Sequence, residues 1–280
     1  ATVSPMPSPS TNNDGVRGVV AVVLLDYQPK HQAWGWMRLA QGPGALKDTP
    51  GLRFAKVMGS GHGGGFSLRP SASHQGLVTV FEQEEQAHAF LAGAYVAQAR
   101  DKARESWSAV LAVDSARGEW DAQAWGGTPP ASRAARADNP ADKPQPLAVI
   151  TRASIRPAKA MAFWRYAPAA QADLKDASGC LLAMGLGEAP LVRQCTFSLW
   201  QDTASMLQYA HQGAHQVASA AAYKHQFFSE SLFVRMQVLQ MAGVWLGQPF
   251  QFQSHLSPRD VAVSPSPSAL DRATPEVSHV

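Results

Sequence analysis

Cysteine is almost missing from this sequence: Cys180 and Cys195 are the two in 280 residues. Neither stands in a CxxC pattern, which excludes a disulfide framework and a zinc ribbon and leaves a reducing cytosol as the expected compartment. Long hydrophobic runs are missing too. The longest, Val19 to Leu25, falls far short of the roughly 18 to 20 residues that span a bilayer. No single sign of charge dominates. The 24 basic and 21 acidic residues are spread along the chain and sum to +3, so no basic stripe marks a nucleic-acid partner. The opening residues, ATVSPMPSPSTNNDG, contain neither a basic start nor an apolar stretch, and read as a disordered leader, not a secretory signal.

What is present is 45% apolar residues, ample for a core, divided by composition into two blocks. Residues 1–16 form the leader, 17–120 a first folded block, 121–145 a Pro/Ala-rich linker, 146–250 a second block and 251–280 a Pro/Ser-rich tail. The blocks match each other. At an offset of 128, Pro29, Trp36, Gly51, Ala55 and Gly59 meet Pro157, Trp164, Gly179, Ala183 and Gly187. At an offset of 125, Glu105, Ser106, Gly118 and Trp120 meet Glu230, Ser231, Gly243 and Trp245. Between these, an offset of 119 takes Phe81 onto Trp200 and Phe90 onto Tyr209. The first block therefore carries 9 extra residues (128 minus 119) after Gly59, and the second 6 extra (125 minus 119) between Tyr209 and Ser229. Apolar and β-branched runs give each block the order βαββαβ. Such a unit makes a four-stranded antiparallel sheet with helices on one face, and its bare face requires cover. Two fused ferredoxin-like units packed as a pseudo-symmetric dimeric α+β barrel satisfy that requirement.

Three places carry candidate chemistry. In Leu207 to Lys224, His211 and His215 share a helix face if the helix runs through Gly213. A break at Gly213 instead separates them and opens a new turn at His215. That imidazole can ligate heme iron through Nε2, whereas a zinc pair lacks a third ligand; a plain filler role stays open. The loop Gly59 to Phe66, GSGHGGGF, contains G-x-G-x-x-G but opens no helix, so a flap over a ligand cleft or a plain hairpin connection is expected in place of a nucleotide site. Arg152 and Arg156 lie in TRASIRP; an arginine inside a strand is costly unless it meets an anion, and a heme propionate or polarised dioxygen would serve. His62, His74 and His88 offer less, and Ser60 lacks a nucleophile elbow.

GLRFAKVMGSGHGGGF, ESWSAVLAVDSARG, TRASIRP, MGLGEAPL, TFSLWQDTASM and GAHQVA, in collinear order over residues 17–247, resemble the spheroidene monooxygenase family, carotenoid-oxidising enzymes of purple phototrophic bacteria. The resemblance implies a fused α+β barrel, heme b, dioxygen, a ferredoxin-type donor and oxygen insertion at C2 of acyclic carotenoids such as spheroidene, giving spheroidenone. It implies a cytoplasmic enzyme that docks peripherally on the photosynthetic membrane. The family's S-G-x-G-x-G-F pattern falls on Ser60, Gly61, Gly63, Gly65 and Phe66, a substrate loop, and its G-x-H falls on His215 as axial ligand. Arg152 and Arg156 become the catalytic arginines. A heme or lipophilic-ligand binder without catalysis and a cofactor-free monooxygenase of the same barrel remain the alternatives.

Overall fold

The computed structural model describes residues 15–65, 67–126, 145–189 and 191–254. The first half runs β1 (Val19–Tyr27), α1 (Gln32–Gln41), β2 (Leu52–Gly61), β3 (Pro70–Phe81), α2 (Glu84–Ala92), α3 (Ala94–Lys102), β4 (Ala103–Trp120) and β5 (Gln123–Ala124). The second runs β6 (Leu147–Ile155), α4 (Ala160–Phe163), α5 (Ala167–Lys175), β7 (Cys180–Ala189), β8 (Arg193–Trp200), α6 (Thr203–Ala210), α7 (Gly213–His225), β9 (Phe228–Trp245) and β10 (Gln248–Gln253). The matched Pro29 and Pro157 each open a 3-10 turn before the first helix, where a fixed φ fits and no amide is needed.

The strands form one sheet in the order β10-β9-β6-β8-β7-β2-β3-β1-β4-β5, and β9 also pairs with β4. Eight antiparallel strands thereby close into a barrel within an α+β fold. Register follows the sequence match: Val19 meets Phe81 and Ala112, and Leu147 meets Trp200 and Gln237. Period-2 alternation sorts the side chains. Val20, Val22, Leu24, Ile150, Phe197, Trp107 and Met236 share one interior core that draws on both halves. Val19, Ala21, Val23 and Leu25 instead lie under the helices of the first half, and Leu147 and Val149 under those of the second. β1 and β6 are buried on both faces, which is why they read as unbroken apolar runs.

The two seams that close the barrel differ. β4 and β9 pair from Trp107↔Gly243 to Gly118↔Leu232, while β2 and β7 meet at Gly59↔Gly187 alone. The matched Gly59 and Gly187 face each other at the short seam, and at the long one the pairing is reciprocal, the glycine of each half lying against the other half's matched serine. A Cβ on Gly118 would lie 2.0 Å from the Ser231 carbonyl oxygen, and one on Gly243 would lie 2.2 Å from that of Ser106. Beyond the seam, β4–β5 and β9–β10 are hairpins whose central residues, Asp121–Ala122 and Leu246–Gly247, all have positive φ, the two-residue turn that suits strand twist. Glu230 accepts from the Ala122 amide at 2.7 Å, and Glu105 accepts from the Leu246 and Gly247 amides at 2.8 Å. These hairpins extend the folded structure past the expected block ends, into 121–126 and through Gln253, whereas residues 1–14, 127–144 and 255–280 lie outside the described residues. No helix among the described residues is long and apolar enough to cross a membrane.

Candidate functional site

His215 sits in the helical layer outside the second-half sheet. Asp202 caps α6, accepting from the Ser205 amide at 2.8 Å, and α6 ends at Ala210. The chain then breaks at Gly213, whose φ is +63 and where a Cβ would lie 2.7 Å from Asp173 Oδ2. That same oxygen accepts from the Ala214 amide at 2.7 Å and fixes the start of α7. His211 therefore caps the end of α6 while His215 lies in α7; the first is exposed and the second half-buried. His215 Nδ1 lies 3.3 Å from the Ala210 carbonyl oxygen, which can only accept, so Nδ1 carries the proton and Nε2 the lone pair. Burial holds its pKa below the usual imidazole value, His211 adds to this and the Ala210 carbonyl opposes it. The ring packs 4.7 Å from that of Tyr209, whose hydroxyl donates to the Ala170 carbonyl at 3.0 Å.

Among the described residues no three His, Cys, Asp or Glu side chains gather to hold a bare metal ion. Heme brings four nitrogens of its own and asks one imidazole of the protein, held by a hydrogen bond through its other nitrogen. His215 meets both demands. Next to it, Asp173, Ser205, Gln208, Tyr209 and Gln212 line a cleft of about 220 Å³. At the far end of α7, Ala221 and Ala222 pack with Phe163, Tyr166, Phe227 and Phe228.

Arg152 lies elsewhere. Its strand partners Ala148 and Ile150 face the interior, so the same alternation carries Arg152 inward, where it is 1% exposed. The anion that its burial demands comes from the protein: Arg152 pairs with Glu230 and, at 3.3 Å, with Glu188, beside the Trp120 ring. Glu188 also takes Lys56 at 2.8 Å and the Trp120 indole at 2.8 Å. Arg152 and His215 thus face opposite sides of the sheet, and the anions beside Arg152 are carboxylates of the protein. Arg156 is exposed just past the end of β6, with its amide donating to the Phe227 carbonyl at 2.8 Å.

The glycine-rich stretch begins as strand and ends as a turn. Ser60 and Gly61 belong to β2; Ser60 is buried and donates to the Gly185 carbonyl at 2.6 Å, supplementing the sparse β2–β7 seam. Gly63 (φ +66) has open space around it, Gly64 (φ +73) rests on the His74 ring, and the Gly65 amide donates to the His62 carbonyl at 3.3 Å; Phe66 lies outside the described residues. Under this turn is a cluster that sequence reasoning passed over. His74 Nδ1 lies 2.9 Å from Ser71 Oγ and 3.1 Å from Ser73 Oγ, Nε2 lies 3.6 Å from Asp26, and Arg104 pairs with Asp26. The available signal was parity: His74 shares the inward face of β3 with Val78 and Val80. Burial lowers the His74 pKa, with Asp26 opposing.

No family model matches the chain. The spheroidene monooxygenase of Rubrivivax gelatinosus is 44% identical over 233 residues, covering 83% of this chain and 86% of that protein. The spheroidene monooxygenase of Rhodobacter capsulatus is 34% identical over 206 residues, 72% of this chain and 82% of that one. Among solved structures, aldoxime dehydratase matches over 79% of this chain and 81% of its own with a TM-score of 0.49 and 11% identity. The two relatives span both halves of the barrel at an identity that fixes descent, and the chain belongs to the spheroidene monooxygenase family of oxidoreductases.

Proposed function

We propose that the protein is a heme-dependent carotenoid monooxygenase that introduces oxygen at C2 of acyclic carotenoids, taking spheroidene to 2-hydroxy and 2-keto products such as spheroidenone. The observation that carries this reading is the 44% identity, through both halves, with a protein named spheroidene monooxygenase. One oxygen atom of O2 enters the substrate and the other leaves as water, with two electrons from a reduced ferredoxin and two protons. A second hydroxylation at the same carbon gives a gem-diol, which loses water to the ketone. Bound heme b supplies the oxygen activation. His215 would hold the iron through Nε2, with its Nδ1–H donating to the Ala210 carbonyl and orienting the ring. Arg156, exposed just past the end of β6, is the arginine that would meet a heme carboxylate. Arg152 acts through Glu188 and Glu230 as a positioning residue for the end of β6. The turn of Ser60, Gly61, Gly63, Gly65 and Phe66 is the substrate loop, and the enzyme works from the cytoplasmic side in peripheral contact with the membrane. The two halves, alike in register, are fused copies of one ferredoxin-like βαββαβ unit.

Spheroidene, reduced ferredoxin and O2 supplied to the heme-reconstituted protein yield 2-hydroxy and 2-keto carotenoids on chromatography, and His215→Ala loses the Soret band. Unchanged spheroidene favours a non-catalytic binder of heme or a lipophilic ligand. Turnover by protein lacking a Soret band sinks the heme assignment.

A further inference from the structure

One corner of the molecule has a charge balance unlike the rest. It is built by three segments: 157–165, carrying α4; 191–193, the turn from β7 to β8; and 224–228, from the end of α7 into β9. They are tied together, because the Trp164 indole donates to the Leu191 carbonyl at 3.0 Å and Lys159 donates to the His225 carbonyl. Phe163 packs 6.2 Å from Phe227 and 5.7 Å from Phe228 beneath them. The three segments contain Lys159, Arg165, Arg193 and Lys224, and no Asp or Glu, in a chain whose totals are 24 basic and 21 acidic. Arg165 and Lys224 are exposed, and Arg193, also exposed, pairs at 3.8 Å with Glu188 just outside these segments. In their midst Met161 is 81% exposed and Leu191 44%, with the half-buried Trp164 between helix and turn. The matched segment of the first half, residues 29–37, carries a single Lys or Arg, Lys30, where 157–165 carries Lys159 and Arg165.

We infer that this corner docks the protein on an anionic lipid bilayer. Lys and Arg heads meet headgroup phosphates, while Met161 and Leu191 enter the acyl boundary and the Trp164 ring settles at the interface that amphipathic aromatics favour. A side chain as exposed as Met161 gains nothing in water and gains transfer free energy on entering lipid. The corner deepens the proposed function, and for its purpose rests on it: an apolar polyene partitions into membrane, and α7 runs from His215 to this corner over about 15 Å at 1.5 Å per residue.

The test is cosedimentation of the full chain with phosphatidylcholine vesicles made with and without phosphatidylglycerol. Wild type sediments with the phosphatidylglycerol vesicles alone and is released by high salt. The double variant Arg165→Gln/Lys224→Gln binds them about 25-fold more weakly, at roughly fivefold for each cation lost. Met161→Asp weakens binding as well, and circular dichroism confirms that both variants stay folded. Equal binding to both vesicle types, no binding by wild type, or variants that bind as wild type does would each overturn the proposal. If the double variant keeps its vesicle affinity but accepts electrons more slowly from reduced ferredoxin, the corner docks an acidic protein and the lipid assignment falls. The assay needs neither heme nor turnover, so its failure is distinct from failure of the proposed reaction.

Discussion

At the scale of single residues, burial decides what each charged side chain is for. Arg152 was legible in the sequence as an arginine in a strand that required an anion, but its anions were not, because Glu188 and Glu230 come from strands 36 and 78 residues away. Removing it leaves two carboxylates facing an apolar interior. Arg152→Met is expected to cost about 3 to 5 kcal/mol in urea unfolding, with part recovered when Glu188→Gln and Glu230→Gln are added. His74 makes the opposite lesson. Nothing local marks it, and it became visible once β3 reached back to Pro70 and its parity was fixed. Its pKa is lowered from 6.5, chiefly by burial. Below about pH 7 the unfolded chain takes a proton there that the folded chain refuses, so stability is lost as pH falls through 6.5 and the loss ends below the folded value. Wild-type urea midpoints should therefore drop between roughly pH 7.5 and 5.5 by more than those of His74→Gln. Equal slopes would mean that His74 titrates alike in both states.

At the scale of elements, apolar alternation located the eight barrel strands, and their ends and the two added hairpin strands escaped. β4 and β9 run on into hairpins because Asp121, Ala122 and Leu246 adopt positive φ without being glycine, and such residues carry no turn signature of their own. What holds them is a distant glutamate. The break at Gly213 was readable from a glycine flanked by two histidines, and it assigned His215 to its own helix. The glycines of the repeat had no visible reason in the sequence, and the seam supplies it. Gly118→Ala combines a φ of +95 with a carbonyl 2.0 Å away, and should cost about 2 to 5 kcal/mol. Gly63→Ala, at φ +66 with nothing within 4 Å, should cost about 1 to 2 kcal/mol of backbone strain alone. Thermal unfolding of the two variants side by side checks the order; a reversed order would show that the β4–β9 seam yields easily.

At the scale of the whole molecule, the repeat made the barrel legible, since each unit leaves one sheet face bare and the matched offsets set the register. The inequality of the seams was not legible, because strand composition says nothing about how many partners a strand finds. Each half also completes the other in a manner that a sequence match cannot display. The turn at Asp121–Ala122 relies on Glu230, and the turn at Leu246–Gly247 relies on Glu105. Gly118 is pressed on Ser231, and Gly243 on Ser106. The consequence is that covalent continuity is dispensable while company is not. A gene cut between the codons for residues 126 and 145 should yield two polypeptides that co-purify as an obligate pair with the circular dichroism of the intact chain. Neither should unfold cooperatively when made alone. A half that melts sharply in isolation would show the mutual dependence to be ornamental. If the pair forms as expected, the single chain is two partners exchanging vows at both ends, and selection on either partner's Glu-Ser is selection on the other's Gly-x-Trp.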